Sequence, residues 1–343
     1  MINLLRLAAI FFVWLYSTSL ASWWVIHLWV GDTLWWIALL SSFAPHLFIP
    51  LLLFWPIGAW VRRPLYWTGL LLPITLFVYL YGLLFIPRQP PAYQPAPAPL
   101  RLMTFNLWGG SHTVETAQVI LENGAPDIVA LQEVTWPMQK LIQQTVGQQY
   151  PYTFFDTAIG HPGLGVLSRY PLERVPSDLL IDRHCRQYRV TVDAAHRFRL
   201  YNCHPRSTNL FYIAGDFATI VRQVEETFHT RTLLGARIAE EIKAHGEPTL
   251  VVGDFNTTDQ SDAYHHLRTV LGDAHRASGW GFGHTFPSEL GRYRELPIVP
   301  RQVRIDLILY TADFVALQSA VGAIHAESDH FPLRATLGWR LSQ

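Results

Sequence analysis

Thr249-Leu250-Val251-Val252-Gly253-Asp254-Phe255-Asn256 is the stretch on which the fold turns. Thr249–Val252 reads as a fully apolar strand, and the change at Gly253 to Asp254 and Asn256 marks its end. Upstream, Thr230–His245 has helical spacing and stops at Gly246, with a further helical pattern near Asp216–Phe228. Downstream, Ile305–Tyr310, Phe314–Ala320 and Leu333–Leu337 read as strands. Working back to residue 100, the pattern alternates. Leu100–Asn106 is a strand, Thr113–Asn123 a helix closed by Gly124, Asp127–Glu133 a strand and Met138–Val146 a helix. Tyr152–Phe155 and Gly165–Ser168 are short strands. Arg186–Val192 and Arg197–Cys203 form a hairpin with Tyr188, Val190, Val192, Phe198 and Leu200 turned inward and Arg189, Arg197 and Arg199 on the other parity. Strands interspersed with helices, some joined as hairpins, specify a layered mixed α/β domain.

The polar residues that interrupt this pattern sit where strands end. Asn106, Glu133, His204 and Asp254 with Asn256 each close an apolar run; Asp306 opens one, and Asp329-His330 precedes Phe331-Pro332. Sheets gather strand ends along an edge, so these side chains can meet although they are far apart in sequence. Carboxylate and amide oxygens suit a hard cation such as Mg²⁺, which keeps several waters and needs only one or two carboxylates. With histidine beside them, they form the minimal kit for metal-assisted attack of water on a phosphoester. Each position alone is also an ordinary turn or cap signal; their joint occurrence carries the reading.

The 343 residues are 50% hydrophobic but only 15% charged, with zero formal net charge and two cysteines. Typical globular domains carry about 25% charged residues. Disorder, collagen and a disulfide-built miniprotein are excluded, and neutrality argues against a nucleic-acid coat protein. The deficit of charge is local. Before residue 87 the only formal charges are Arg6, Asp32, Arg62 and Arg63, and nine of the 13 tryptophans lie there. A bilayer core needs roughly 20 apolar residues per helix. Residues 7–30, 34–60 and 65–86 meet that length, giving a transmembrane region over 1–86. Continuation of the first apolar run to Val30 favours an uncleaved span over a signal peptide cut near Ala21. Positive charge at Arg6 and Arg62/Arg63, and none at the Asp32 loop, predicts a cytoplasmic N-terminus and an extracytoplasmic C-terminal domain, with the plasma membrane as the expected site. Residues 87–99, with six prolines, read as a polyproline spacer of roughly 40 Å, leaving 100–343 as the folded domain. That part from Pro87 on holds 23 basic and 25 acidic residues.

Thr104-Phe105-Asn106, Leu131-Gln132-Glu133, Gly253-Asp254-Phe255-Asn256, Arg304-Ile305-Asp306 and Ser328-Asp329-His330 resemble, in this order, the motifs of the endonuclease/exonuclease/phosphatase superfamily, the DNase I-like fold. The likeness covers about 100–340. It implies a four-layered α/β sandwich, two mixed β-sheets flanked by helices, here preceded by an all-α transmembrane region. It also implies hydrolysis of a phosphoester with Mg²⁺, Mn²⁺ being an alternative. By the resemblance, Glu133 is the principal metal ligand, Asn106 lies beside it and Asp329 is a second metal contact. Asp254 orients or deprotonates the attacking water and Asn256 assists it. His330 contacts the scissile phosphate, Asp306 orients His330, and His204 steadies the phosphoryl oxygens.

The long stretch after His204, including Asn209–Ile213, and Gly279–Pro300 with Arg292 and Arg294 depart from the family pattern. Both are candidate cleft or membrane edges. The extra tyrosine and basic inserts of abasic-site endonucleases are missing. No ligand spacing among the remaining histidines and two cysteines supports zinc. Cys185 and Cys203 share a parity in the hairpin, so a disulfide is open, pending the register. The expected partners are the bilayer and a phosphoester substrate, nucleic acid or lipid headgroup; nothing points to an obligate protein partner. Arg183, Arg186, Arg189, Arg197, Arg199 and Arg206 could form a basic track for a polyanion. The leading reading is a nuclease-like enzyme that hydrolyses a phosphodiester; a phospholipid or sphingolipid phosphodiesterase or phosphatase is the alternative, and a non-catalytic scaffold with the same fold the third.

Overall fold

Two six-stranded sheets lie face to face. The computed structural model describes residues 2–158, 161–208, 215–288 and 301–341. Four helices come first: α1 (Ile2–Val30), α2 (Trp35–Ser42), α3 (Pro50–Val61) and α4 (Pro64–Tyr81). Then follow β1 (Leu100–Asn106), α5 (Val114–Glu122), β2 (Ile128–Val134), α6 (Trp136–Val146), β3 (Tyr152–Ala158), β4 (His161–Ser168), β5 (Leu172–Val175), α7 (Leu179–His184), β6 (Cys185–Thr191) and β7 (Arg197–Cys203). The chain continues through α8 (Phe217–His245), β8 (Thr249–Asp254), α9 (Asp262–Arg268), β9 (Gly272–Asp273), α10 (Ala274–Ser278), β10 (Asp306–Tyr310), β11 (Phe314–Val321) and β12 (Leu333–Trp339). One sheet has the order β11-β12-β1-β2-β4-β3, the other β5-β6-β7-β8-β10-β9. The pairs β1/β2 and β7/β8 are parallel and the rest antiparallel, so both sheets are mixed.

Period-two alternation explains the layering. Leu100, Leu102, Ile128 and Ala130 of the first sheet meet Tyr188, Val190, Leu200, Leu250, Val252 and Ile308 of the second in a central core. The intervening residues face outward. Met103, Phe105, Val129 and Leu131 pack under α5 and α6, and Tyr201, Val251, Leu307 and Leu309 pack under α7, α8 and α9. The result is helix, sheet, sheet, helix.

The segments read as helices near Asp216–Phe228 and over Thr230–His245 are one helix of 29 residues. Asp216 caps its start through Thr219 N, and Gly246 ends it at φ 63°. Gly235 in its middle permits close approach to α9: a Cβ there would lie 2.5 Å from the Ala263 carbonyl oxygen. Cys185 and Cys203 are direct partners across β6/β7 and are joined by a disulfide.

Three helical stretches, Ile2–Thr33, Ala44–Val61 and Pro64–Phe85, are long and apolar enough to cross a membrane. The expected second span over 34–60 is not continuous. It breaks after Ser42, where Pro45 opens a short 3₁₀ segment, Ala44–Phe48. The severed piece, α2, packs Trp35, Ala38 and Leu39 against Ile220, Val224 and Phe228 of α8. Its apolar character is consumed by the sandwich. The far end of α4 is tied in too, Leu80 O accepting from Arg276 Nη2 at 2.8 Å and Leu84 O from Gly281 N at 2.8 Å. Arg6 lies 5.7 Å from the Trp60 ring at the opposite end of the bundle.

Residues 87–99 are not a free spacer. Tyr93 bridges to Arg340, and Gln94 donates to Trp339 O at 2.8 Å and, through Nε2, to Arg340 O at 2.7 Å. The end of β12 supplies backbone groups that the linker satisfies, so it lies along the sandwich.

Candidate active site

Backbone geometry sets the site before any side chain is considered. Asp254 closes β8 and Asp306 opens β10, and the two are register partners. Gly253, at φ 141°, lets β8 close on its other neighbour, β7: a Cβ would lie 1.9 Å from the Cys203 carbonyl oxygen. Asn106 closes β1 beside Gln132 of β2. The next residue, Glu133, has φ 54°, and the β2/β4 register slips between Leu131 and Val134. Such a bulge re-aims a side chain, here out of the sheet and toward Asn106. Asn256, at φ 49°, turns the chain back so that its own N–H donates to Asp254 Oδ1 at 2.8 Å.

The side chains then converge. Asn106 Nδ2 donates at 3.0 Å both to Glu133 Oε1 and to Asp254 Oδ2. Glu133 Oε2 accepts from Gly109 N at 2.9 Å. His204 Nε2 is 3.6 Å from Glu133 Oε1 and 3.6 Å from Asp254 Oδ2. His330 Nε2 approaches Asp254 Oδ2 at 3.6 Å and Asp329 Oδ1 at 4.0 Å, while its Nδ1 is held by Asp306 Oδ2 at 2.9 Å. Asn256 Nδ2 reaches Pro205 O at 3.1 Å and Asp254 Oδ2 at 3.4 Å. All eight residues expected at the site from the sequence are therefore in one cluster. Asp254, Asp306 and His330 are buried, whereas Glu133 and His204 are partly open and form its mouth.

Burial alone would lower the His330 imidazole. The charges of Asp306 and Asp254 outweigh it, and His330 is pushed up to about 10.

Two carboxylates sharing one amide donor, with an imidazole 3.6 Å from each, concentrate hard oxygen donors at one spot. That donor chemistry fits a hard divalent cation. Among the described residues no group of three or more His, Cys, Asp or Glu side chains is arranged to enclose a metal by itself. A cation that retains its water does not need such a cage.

Other residues build the site without having been singled out. Ser328 Oγ donates to Asn106 O at 2.6 Å and accepts from His330 N at 3.0 Å, locking the last loop to the first strand. Gln132 Nε2 donates to Asn202 Oδ1 at 2.7 Å and to Thr104 Oγ1 at 3.1 Å in a buried polar layer beneath the site. Phe286 lies 4.8 Å from the His330 ring. Arg231 contacts the loop of Asn256. Its signal was present: a charged residue on the apolar stripe of α8 that also bears Leu234 and Ile238.

Three of the six arginines of the expected basic track face carboxylates, while Arg183, Arg197 and Arg206 are exposed. Arg186 pairs with Asp156, Arg189 with Glu173 and Glu247, and Arg199 with Glu247 at 2.6 Å. Asn209–Ile213, Arg292 and Arg294 lie outside the described residues.

A four-layered sandwich with carboxylate, amide and imidazole groups at its strand ends defines the class of DNase I-like phosphoester hydrolases. The chain belongs to the Endonuclease/Exonuclease/phosphatase family, whose sequence model matches residues 103–330. Solved structures agree on the fold. A family member from Bacteroides thetaiotaomicron is 18% identical with a TM-score of 0.53, covering 73% of this chain and 100% of its own. Truncated Caenorhabditis elegans TDP2 is 16% identical, TM-score 0.53, covering 70% and 98%. The B. thetaiotaomicron mannosyl-6-phosphatase is 17% identical, TM-score 0.52, covering 70% and 100%. No curated protein sequence matches the chain.

Proposed function

We propose that this chain is a membrane-bound, metal-dependent phosphoesterase whose folded domain, 100–343, works outside the cytoplasm. The observation that carries the reading is the surrounding of one buried carboxylate oxygen, Asp254 Oδ2, by Asn106, His204 and His330. In this reading Asp254 accepts the proton of a water as the water oxygen attacks phosphorus. His330, kept protonated and oriented by Asp306, and His204 offset charge on the phosphoryl oxygens while the ester oxygen departs. Asn256 holds Asp254 in line. Glu133, Asn106 and Asp329 would hold the cation. When bound, Mg²⁺ supplies Lewis-acid stabilisation of the phosphoryl oxygens, and Mn²⁺ can substitute.

Orientation rests on two independent features. Arg6, Arg62 and Arg63 belong to the end of the helices away from the sandwich, which favours that end in the cytoplasm. The Cys185–Cys203 disulfide suits an oxidising compartment.

For the substrate, a lipid headgroup is favoured over a nucleic acid. Arg186, Arg189 and Arg199, half of the arginines that could track a polyanion, are paired with carboxylates, and the turn between α1 and α2 is seated next to the helix that follows Asn256. The test uses full-length chain in nanodiscs, with Mg²⁺ or EDTA, against phospholipids, single- and double-stranded DNA, RNA and a chromogenic phosphodiester and phosphomonoester. Mg²⁺-dependent hydrolysis that vanishes in Asp254→Asn supports the reading. Silence of the folded protein across the panel overturns it in favour of a scaffold.

A further inference from the structure

The apolar helices do not pack evenly. α1 and α4 close on each other at Gly69, where a Cβ would lie 2.7 Å from Val13 Cγ1. α3 and α4 close at Gly58, where a Cβ would lie 2.7 Å from the Trp67 ring. Between α1 and α3 the seam stays open. Leu5, Ala8, Phe12 and Tyr16 recur at helical spacing along α1, and Phe54 and Ile57 face them from α3, around a groove of about 570 Å³. Ala8 gives that wall only a methyl group, and Pro56, inside α3, has no backbone N–H to offer its own turn.

The two ends of the groove differ. At one end it is closed: Tyr16 Oη donates to Leu47 O at 2.9 Å, and the Tyr16 and Phe54 rings lie 5.4 Å apart. The other end carries charge. Arg6, next to Leu5, lies 5.7 Å from the ring of Trp60, about one turn beyond Ile57, and the exposed Arg62 and Arg63 follow. Arg6 Nε is shielded from solvent and makes no hydrogen bond. A polar donor shielded among apolar side chains needs an acceptor. From Leu5 to Tyr16 the helix rises about 16 Å at 1.5 Å per residue. One leaflet, half of a hydrocarbon core roughly 30 Å thick, has the same depth.

We propose that the α1/α3 groove binds one anionic phospholipid of the leaflet at the Arg6 end, with an acyl chain along Leu5–Tyr16 and the phosphate paired with Arg6. The shape and charge of the groove select this occupant. A spanning helix from a second copy would need a seam through both leaflets, whereas this one stops at Tyr16. A bare apolar tail leaves Arg6 Nε without an acceptor, and a phosphate supplies both oxygen and charge. A zwitterionic headgroup brings its own cation; an anionic one leaves the phosphate to the arginines. The site lies at the end of the bundle away from the sandwich, so its lipid is a resident and not a substrate. The proposal rests on the helices spanning a bilayer and is independent of the catalytic reading.

The test reconstitutes full-length wild type, Arg6→Gln, Arg6→Lys and Ala8→Leu in nanodiscs of equal parts phosphatidylcholine and phosphatidylglycerol. Each is then released into mild detergent and weighed by native mass spectrometry. Wild type should retain one lipid per chain, with phosphatidylglycerol favoured about 5-fold, the worth of one basic side chain at the surface. Arg6→Gln should abolish that preference, and Arg6→Lys should keep part of it, as charge remains without the fork. Ala8→Leu, which fills the groove, should lose the lipid whatever its headgroup while keeping the wild-type circular dichroism spectrum. Should Ala8→Leu not fold, the two Arg6 variants decide. Wild type that retains no lipid, or retains both headgroups equally, overturns the proposal, as does a wild-type preference in Arg6→Gln. A dimer that Ala8→Leu splits gives the groove to a second copy and overturns it too. A chain that does not enter nanodiscs overturns the spans and this site together, whereas hydrolysis, or its lack, is a separate readout that bears on the catalytic reading.

Discussion

Two buried ion pairs flank the start of β10 and share almost every local measure. Arg304 Nη1 meets Asp273 Oδ2 at 2.8 Å, and His330 Nδ1 meets Asp306 Oδ2 at 2.9 Å; the cation is 5% exposed and the carboxylate 0% in both. They differ in what lies beyond. Asp273 Oδ2 also accepts from Tyr264 Oη at 2.7 Å, and Arg304 Nη2, which makes no hydrogen bond, faces Asp259 at 3.7 Å, so this pair looks only toward groups outside the site. The second nitrogen of His330 instead faces Asp254 and Asp329 at the catalytic edge. Burial and pairing therefore do not identify a site; what the cation's remaining donor faces does. The two cations also differ in kind. His330 can give up its proton, whereas Arg304 cannot.

The strongest test of that contrast is Asp254→Asn, which should reduce turnover roughly 10³-fold without changing the fold. Wild-type-like turnover would remove the distinction between the two pairs. Next, denaturant titrations should separate the pairs by stability. Asp273→Asn strands a permanent charge and should cost about 3–5 kcal/mol, whereas Asp306→Asn lets His330 go neutral and should cost about 1–2 kcal/mol. Equal losses would break the comparison.

A pH profile sharpens it. Burial alone would raise the Asp273 carboxyl, but the Arg304 charge overrides burial and holds it at about 2. A carboxyl depressed on folding stabilises the protein above its unfolded value of about 3.9 and loses that contribution as pH falls through the folded value. Wild type should therefore lose roughly 2–3 kcal/mol between about pH 4 and pH 2 from this group, a slope that Asp273→Asn should lack. The smallest effect is expected at the hairpin: with Arg189 and Arg199 spent on Glu247, replacing both by Gln should change the salt slope of any nucleic-acid cleavage by less than about one unit. A change approaching two, about 0.9 for each lost phosphate contact, would restore the basic track.

The site was legible because its chemistry sits at strand ends, where an apolar run stops on Asn106, Glu133 or Asp254 and the sheet brings those stops together. What escaped notice depended on tertiary context. Trp35–Ser42 has the composition of a membrane span, and only its packing on Ile220 and Phe228 reveals another use. The prolines of 87–99 suggested reach, but unsatisfied backbone at Trp339 and Arg340 claimed the segment. The hairpin arginines looked free because Glu241 and Glu247, their acids, come some forty residues later. Asp32 read as a loop charge, since nothing in sequence announces a partner at Asp262, 230 residues away.

The docked linker decides where the sandwich can be separated from its helices. Gln94 holds the last backbone groups of β12 and its side chain also touches His196 Nε2 at 3.4 Å, while Tyr93 covers Gly338, whose added Cβ would lie 2.8 Å from that ring. Entry and exit of the chain are thus stitched together at one seam. A fragment trimmed to Leu100, where the first strand begins, unpicks that seam and leaves Trp339 and Arg340 to fray; a fragment beginning at Gln89 keeps the stitches.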